Sequence, residues 1–171
     1  MIGNFLRGYI DGALSTLGIV VGASSAESPV IIAAAVGGTI ANGIANILSA
    51  SSAAKAEYHG ELREVEKAMV DKDLTGTVID KKISRQSMFA GMADGLATIV
   101  GGAIPIMPLL FLSGNQALFI SIGLVVLSVI IIGVYLGKIS RRNLIVSGLK
   151  MALYSIFVAV AVYFVQEIIV S

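Results

Sequence analysis

The chain has 171 residues, of which 56% are hydrophobic and 13% charged, and its mean hydropathy is +0.91. Soluble domains are on average roughly a quarter charged, so this composition excludes a soluble globular domain. The high apolar content and the net charge of +1 exclude a disordered chain. The absence of cysteine and the single histidine exclude thiolate and histidine-cluster metal centres. The sequence therefore predicts a protein of the lipid bilayer, and we expect no nucleic-acid partner.

Five apolar stretches are each long enough to cross a hydrocarbon core, which takes about 20 helical residues. Asp11 interrupts the first stretch, so we interpret it as a membrane span and not as a cleaved signal peptide. The predicted fold class is an all-α integral membrane protein with five transmembrane helices, at residues 5–23, 30–54, 88–112, 116–136 and 144–169.

The basic residues lie at Arg7, within 55–85 and within 138–150. Because basic connections stay on the cytoplasmic side of a membrane, we expect the amino terminus and a short charged segment over 57–87 to be cytoplasmic. An odd number of spans then leaves the carboxy terminus outside. The predicted location is the cell membrane, as a multi-pass protein.

A motif of glycine and aspartate occurs twice, 83 residues apart, as Gly8-x-x-Asp11-Gly12 and Gly91-x-x-Asp94-Gly95. The same offset places Ser15 on Thr98 and Lys55 on Lys138. Many transporters are built from repeats of this kind. We therefore predict two parallel copies of a helical pair followed by a fifth helix, with the first pair at 1–56 and the second pair plus the fifth helix at 88–171.

Polar residues follow one face of the predicted second helix. That face carries Thr39, Asn42, Asn46 and Ser49, whereas the corresponding positions of the fourth helix are Ile122, Val125, Val129 and Ile132. Only the first pair has kept the polar stripe. This difference favours the first pair as the place where a polar substrate is handled.

Each first helix of a pair contains one aspartate, and an aspartate inside a span costs about 2.5–3.5 kcal/mol on insertion scales. Arg7 lies one turn before Asp11, so an ion pair is one interpretation of Asp11. Asp94 has no such partner on its own helix. Because intramembrane ionisable groups commonly mark pathways, we predict a transport pathway at Asp11, Ser15, Asn42, Asn46 and Asp94.

The two asparagines lie one helical turn apart, and with Asp11 they offer oxygen ligands suited to Mg²⁺, Mn²⁺ or Fe²⁺. The alternative is amide hydrogen bonding between helices, which is common in membrane bundles. A carboxylate that binds either a cation or a proton also provides the chemistry for exchange. The predicted metal ligands of the membrane site are Asp11, Asn42 and Asn46.

Acidic residues continue beyond the second span on one helical face, at Glu57, Glu61 and Glu64. Three converging carboxylates can hold a metal ion, so we include them among the predicted metal ligands. The alternative is a solvated face, since basic residues are interleaved among them.

Taken together, Asp11-Gly12, the run Ala53-Ala54-Lys55-Ala56-Glu57 and the run Gly101-Gly102-Ala103-Ile104-Pro105-Ile106-Met107-Pro108 resemble the vacuolar iron transporter family, in a short prokaryotic-type form. The resemblance implies a five-helix homodimer that exchanges protons for Fe²⁺ or Mn²⁺ and moves the metal out of the cytosol. It places Asp11 in the transport path and makes Glu57, Glu61 and Glu64 counterparts of metal-collecting glutamates. It implies no permanently bound cofactor, since the divalent ion is the substrate.

Two departures from the family pattern matter for the choice of metal. Asn46 stands where the family commonly has a methionine, which replaces a soft thioether by a hard amide oxygen and weakens the case for Fe²⁺. The cytoplasmic segment is also too short for a full metal-collecting domain.

The leading hypothesis is a dimeric antiporter of divalent metal and protons, in which Asp94 relays a proton or binds a second cation. A membrane-embedded phospholipid-headgroup transferase is one alternative, but that chemistry needs several aspartates on neighbouring turns. A non-transporting oligomeric scaffold is another, although it gains nothing obvious from two buried acids. We therefore predict that the protein is not an enzyme.

Overall fold

The structure is a computed structural model that describes residues 2–68, 78–112 and 114–170. The described residues form helices and contain no strand. Each of the five predicted spans falls within one helix or ends close to its boundary, which confirms the all-α class. The helices are α1 (Ile2–Gly22), α2 (Ser28–Ala68), α3 (Val78–Phe111), α4 (Asn115–Ile139) and α5 (Leu144–Val170).

Four of these helices are long and apolar enough to cross a membrane, over Ser28–Glu64, Asp80–Phe111, Asn115–Ile139 and Leu144–Ile169. The first helix is not among them, because Arg7, Asp11 and several small residues lower its hydropathy. It packs against all four other helices, so much of its surface faces protein. The multi-pass membrane architecture is thus established, while a fifth span and the two-copy repeat stay predictions.

The charged segment predicted over 57–87 is largely helical. Its first part continues α2 and its last part begins α3, while residues 69–77 lie outside the described part of the chain. The His59 Nε2 atom lies 3.7 Å from Asp80 Oδ1, so the two helical extensions approach each other. The predicted division of the chain at 57 and 87 does not coincide with a helix boundary.

Glycines bring α3 into close contact with α1 on one side and α2 on the other. A β-carbon at Gly8 or Gly12 of α1 would collide with the backbone carbonyls of Asp94 or Thr98. On the other side of α3, Gly95 lies directly against the backbone of α2 at Gly43. Such small-residue contacts allow close approach of helices in a membrane. The side chains of α1, α2 and α3 can therefore meet at short range.

Apolar clusters hold the remaining helices around this three-helix unit. One joins α1 to α4 and α5, and the other joins α1, α2, α3 and α4. The outer faces of α4 and α5 expose large apolar side chains, as expected of surfaces in contact with lipid. The buried members of the two clusters are Ala13, Leu17, Val21, Val125, Val129 and Ala159, and Val20, Ile31, Ala35, Ile106, Leu109 and Ala117.

Candidate functional site

Asp11 lies on an exposed part of α1 and is held by two side chains of α2. Its Oδ2 atom accepts hydrogen bonds from Asn42 Nδ2 at 3.0 Å and from Asn46 Nδ2 at 2.7 Å. In the described part of the chain, Oδ1 accepts no hydrogen bond. The structure therefore brings together the aspartate and both asparagines that the sequence singles out, with one carboxylate oxygen free.

Each asparagine makes a second hydrogen bond, to a hydroxyl group. Asn42 donates to Ser15 Oγ at 2.9 Å, and Asn46 donates to Thr98 Oγ1 of α3 at 2.8 Å. The Thr98 hydroxyl in turn donates to the backbone oxygen of Asp94 at 2.9 Å. The result is a polar network that joins three helices and connects Asp11 to the position of the second aspartate.

The side-chain amides present their nitrogens, not their oxygens, to Asp11. Amide N–H groups stabilise a carboxylate anion, so this arrangement suits a site that holds neither proton nor cation. Ligation of a cation by either asparagine requires its amide to turn over. A serine or threonine hydroxyl can both donate and accept. Ser15 and Thr98 can therefore pair with a turned amide oxygen if they redirect the protons that they now donate to the backbone oxygens of Gly12 and Asp94.

Arg7 pairs with Asp94 and not with Asp11. Arg7 donates from Nε to Asp94 Oδ1 at 3.1 Å and from its terminal nitrogen NH2 to Asp94 Oδ2 at 2.8 Å. This two-point geometry is typical of strong arginine–carboxylate pairs. Each carboxylate oxygen of Asp94 thus accepts a hydrogen bond from Arg7, and binding of a second cation or relay of a proton at Asp94 stays a prediction.

Two cavities adjoin this site, and Arg7 contributes to the walls of both. One has a volume of about 550 Å³ and is lined among others by Asn4, Glu57 and Gln86. The other has a volume of about 470 Å³ and is lined by Asp11, Ser15 and apolar residues of α1 and α5. Arg7 is therefore the residue that the linings of these two cavities share.

The glutamates beyond the second span lie along an exposed face of α2. Among the residues that the structure describes, no three acidic, histidine or cysteine side chains come together to hold a metal ion. Glu57 borders the larger cavity, whereas Glu61 and Glu64 are exposed. Metal binding by these glutamates stays a prediction.

The predicted site residues do not include two members of the observed site, Thr98 and Arg7. The internal repeat does point to Thr98, because it makes Thr98 the counterpart of Ser15. In the sequence, Arg7 stands out only as a neighbour of Asp11 on the same helix. Its true partner lies 87 residues away in the chain, and no local pattern indicates that contact.

Replacing Asn46 by leucine is expected to lower the free energy of unfolding by about 1–2 kcal/mol. The change removes hydrogen bonds to both Asp11 and Thr98, and interhelical bonds in membranes are worth about 0.6 kcal/mol on average and up to about 1.7 kcal/mol. Thermal unfolding in detergent measures the effect. Ser49→Ala is the control, since Ser49 bonds only within its own helix, to the Asn46 oxygen at 3.4 Å. Equal losses for both variants would show that the network does not connect the helices.

Four long apolar helices, together with α1 and an inner polar network, define a multi-pass helical membrane protein. The sequence profile of the VIT family matches residues 48–167, and the chain belongs to that family. An uncharacterized protein of Methanocaldococcus jannaschii is 42% identical over 165 residues, which cover 95% of this chain and 86% of that protein. Vacuolar iron transporter 1 of Tulipa gesneriana is 26% identical over 94 residues, covering 54% of this chain and 38% of the relative.

Proposed function

We propose that the protein is a metal transporter that exports Fe²⁺ or Mn²⁺ from the cytosol in exchange for protons, with Asp11 as the exchanging group. Membership of the VIT family and the name of the tulip relative support a role in metal transport. The observation that carries the proposal is the exposed Asp11 carboxylate, hydrogen-bonded by Asn42 and Asn46 in the midst of apolar helices.

In this mechanism Asp11 alternates between three states. The anion is stabilised by the two amide N–H groups, as described above. A proton neutralises the carboxylate, and a divalent cation replaces the proton when the amides of Asn42 and Asn46 turn their oxygens towards it. Since proton and cation compete for the same oxygens, binding of one releases the other, which is the basis of exchange.

The ligand set favours a hard cation. Asp11, Asn42, Asn46 and the hydroxyl of Ser15 are all oxygen ligands, and carboxylate and carbonyl oxygens suit Mg²⁺ and Mn²⁺ better than they suit soft ions. We therefore expect Mn²⁺ to be carried at least as well as Fe²⁺. Transport of Mg²⁺ by the same site would also be consistent with these ligands.

The working unit in this proposal is a homodimer. Asp11 and Ser15 are exposed on the single chain, and a charged network facing hydrocarbon is costly. A second copy placed over this face would cover the network and enclose the cavity beside it. The amino terminus and the α2 extension with Glu57 then face the cytosol, in the orientation that the basic residues favour.

The test is metal-dependent proton flux in proteoliposomes, measured with a panel of Fe²⁺, Mn²⁺ and Mg²⁺. Asp11→Asn is expected to reduce the flux by at least about 100-fold, because an amide neither titrates nor offers a negative charge to the cation. Glu27→Gln is the matched control, since Glu27 is an exposed acid between α1 and α2 and lies outside the network. Full flux in Asp11→Asn would disprove the proposed mechanism.

A further inference from the structure

The ion pair between Arg7 and Asp94 is strongly asymmetric in its exposure. The side chain of Arg7 is 63% exposed, whereas that of Asp94 is 1% exposed. The positive end of the pair therefore faces the cavities, and the negative end faces the protein interior. A pair with no net charge in this orientation still presents a positive potential to a cation that approaches from the cavity side.

The position of Arg7 is fixed by backbone packing as well as by charge. Gly8, the next residue, lies directly against the backbone of Asp94, so the backbones of α1 and α3 are in close contact here. The two-point contact with the carboxylate then restrains the direction of the guanidinium plane. A lysine at this position would keep the charge but lose that restraint.

We propose that Arg7 is a charge barrier between the cavity at Glu57 and the Asp11 site, and that Asp94 is a positioning residue that holds Arg7 there. The inference rests on the proposed function, because it assigns a role in the access of cations to Asp11. Arg7 is a lining residue of both cavities, and it lies one helical turn before Asp11 on α1. Asp94 is thereby assigned to the support of Arg7 instead of to cation binding or proton relay.

The barrier has a direct consequence for leakage. Without a barrier, a cation in the larger cavity could reach the Asp11 carboxylate through the polar network whenever Asp11 holds neither a proton nor a metal ion. A guanidinium held at the cavity wall repels cations at short range. Passage then requires the side chain of Arg7 to break its hydrogen bonds to Asp94 and move aside.

Thiol chemistry tests the barrier without any measurement of transport. The chain has no cysteine, so Val158→Cys places a single thiol on the wall of the Asp11 cavity. The rates of modification by a cationic and an anionic methanethiosulfonate of similar size are compared in proteoliposomes. The Val158→Cys protein is the parent, and it is compared with the same protein carrying Arg7→Gln together with Asp94→Asn.

The double substitution removes one positive and one negative charge, so the net charge stays the same. We expect the ratio of cationic to anionic modification rates to rise about tenfold, which corresponds to about 1.4 kcal/mol of repulsion removed. Arg7→Lys keeps the charge but loses the two-point contact with Asp94, so its ratio should lie between those of the parent and the double variant. An unchanged ratio in a double variant that is still folded and inserted in the vesicles would overturn the barrier.

A transport measurement in the same vesicles separates the two proposals. With Asp11 intact, the double variant is expected to show a KM for Mn²⁺ about tenfold lower, since access and not turnover is altered, with kcat changed less than about twofold. An unchanged KM contradicts the barrier and leaves the role of Asp11 untouched. Full metal flux in the Asp11→Asn protein contradicts the exchange mechanism, whatever the thiol ratio.

Discussion

Gly12→Ala is expected to lower the free energy of unfolding by about 3 kcal/mol, at the upper end of the usual cost of overpacking. The new β-carbon would collide with the backbone carbonyl of Thr98, and a backbone atom cannot move aside as a flexible side chain can. α1 must then separate from α3. Because the Asn46–Thr98 hydrogen bond and the Arg7–Asp94 pair depend on that separation, metal-dependent flux should fall together with stability. Thermal unfolding in detergent and flux in proteoliposomes measure the two effects.

Gly123→Ala is the matched control for this prediction. Gly123 is an exposed glycine of α4, and a β-carbon there meets no atom within 4 Å. Alanine favours helix formation over glycine by about 0.8–1.0 kcal/mol, so this variant should be as stable as the parent or slightly more stable. If both variants behaved alike, the close approach of α1 and α3 would not be a source of stability.

The membrane class and the principal site follow from short-range patterns in the sequence. Helical spacing puts Asn42 and Asn46 on one face, and the cost of a charge in lipid draws attention to Asp11. These two signals are sufficient to select residues that meet in the structure. They do not reveal which atom of each amide faces the carboxylate, because that depends on the hydroxyls of Ser15 and Thr98 on other turns and helices.

The environment of the second aspartate could not be read from the sequence in the same way. The repeat suggests that Asp94 is equivalent to Asp11, yet the two carboxylates have different partners and different exposure. Asp94 is buried because glycines of α1 press against its backbone, and it meets Arg7 because those glycines bring the helices together. Sequence identity between two motifs thus gives no information about which helix packs on each of them. The sequence of α1 has a similar limit, because its low hydropathy does not reveal that the other helices pack against it.

Arg7→Gln is expected to lower the free energy of unfolding by about 3 kcal/mol. Removal of one partner of a buried ion pair typically costs about 3–5 kcal/mol, since the remaining charge is left without compensation. The lower value applies because Arg7 is largely exposed and its interaction is weakened by water. In this variant the buried Asp94 carboxylate faces the neutral amide of the introduced glutamine instead of a cation. The thermal midpoint in detergent should fall accordingly.

Adding Asp94→Asn to Arg7→Gln is expected to restore at least half of the lost stability. The second change removes the uncompensated charge, and two amides can hydrogen-bond to each other where the ion pair stood. A double-mutant cycle of Arg7→Gln and Asp94→Asn therefore gives a coupling energy that isolates the pair. If the two losses simply added, the ion pair would make no contribution of its own, and the fixed orientation of Arg7 would have to come from the packing of Gly8 against α3 alone.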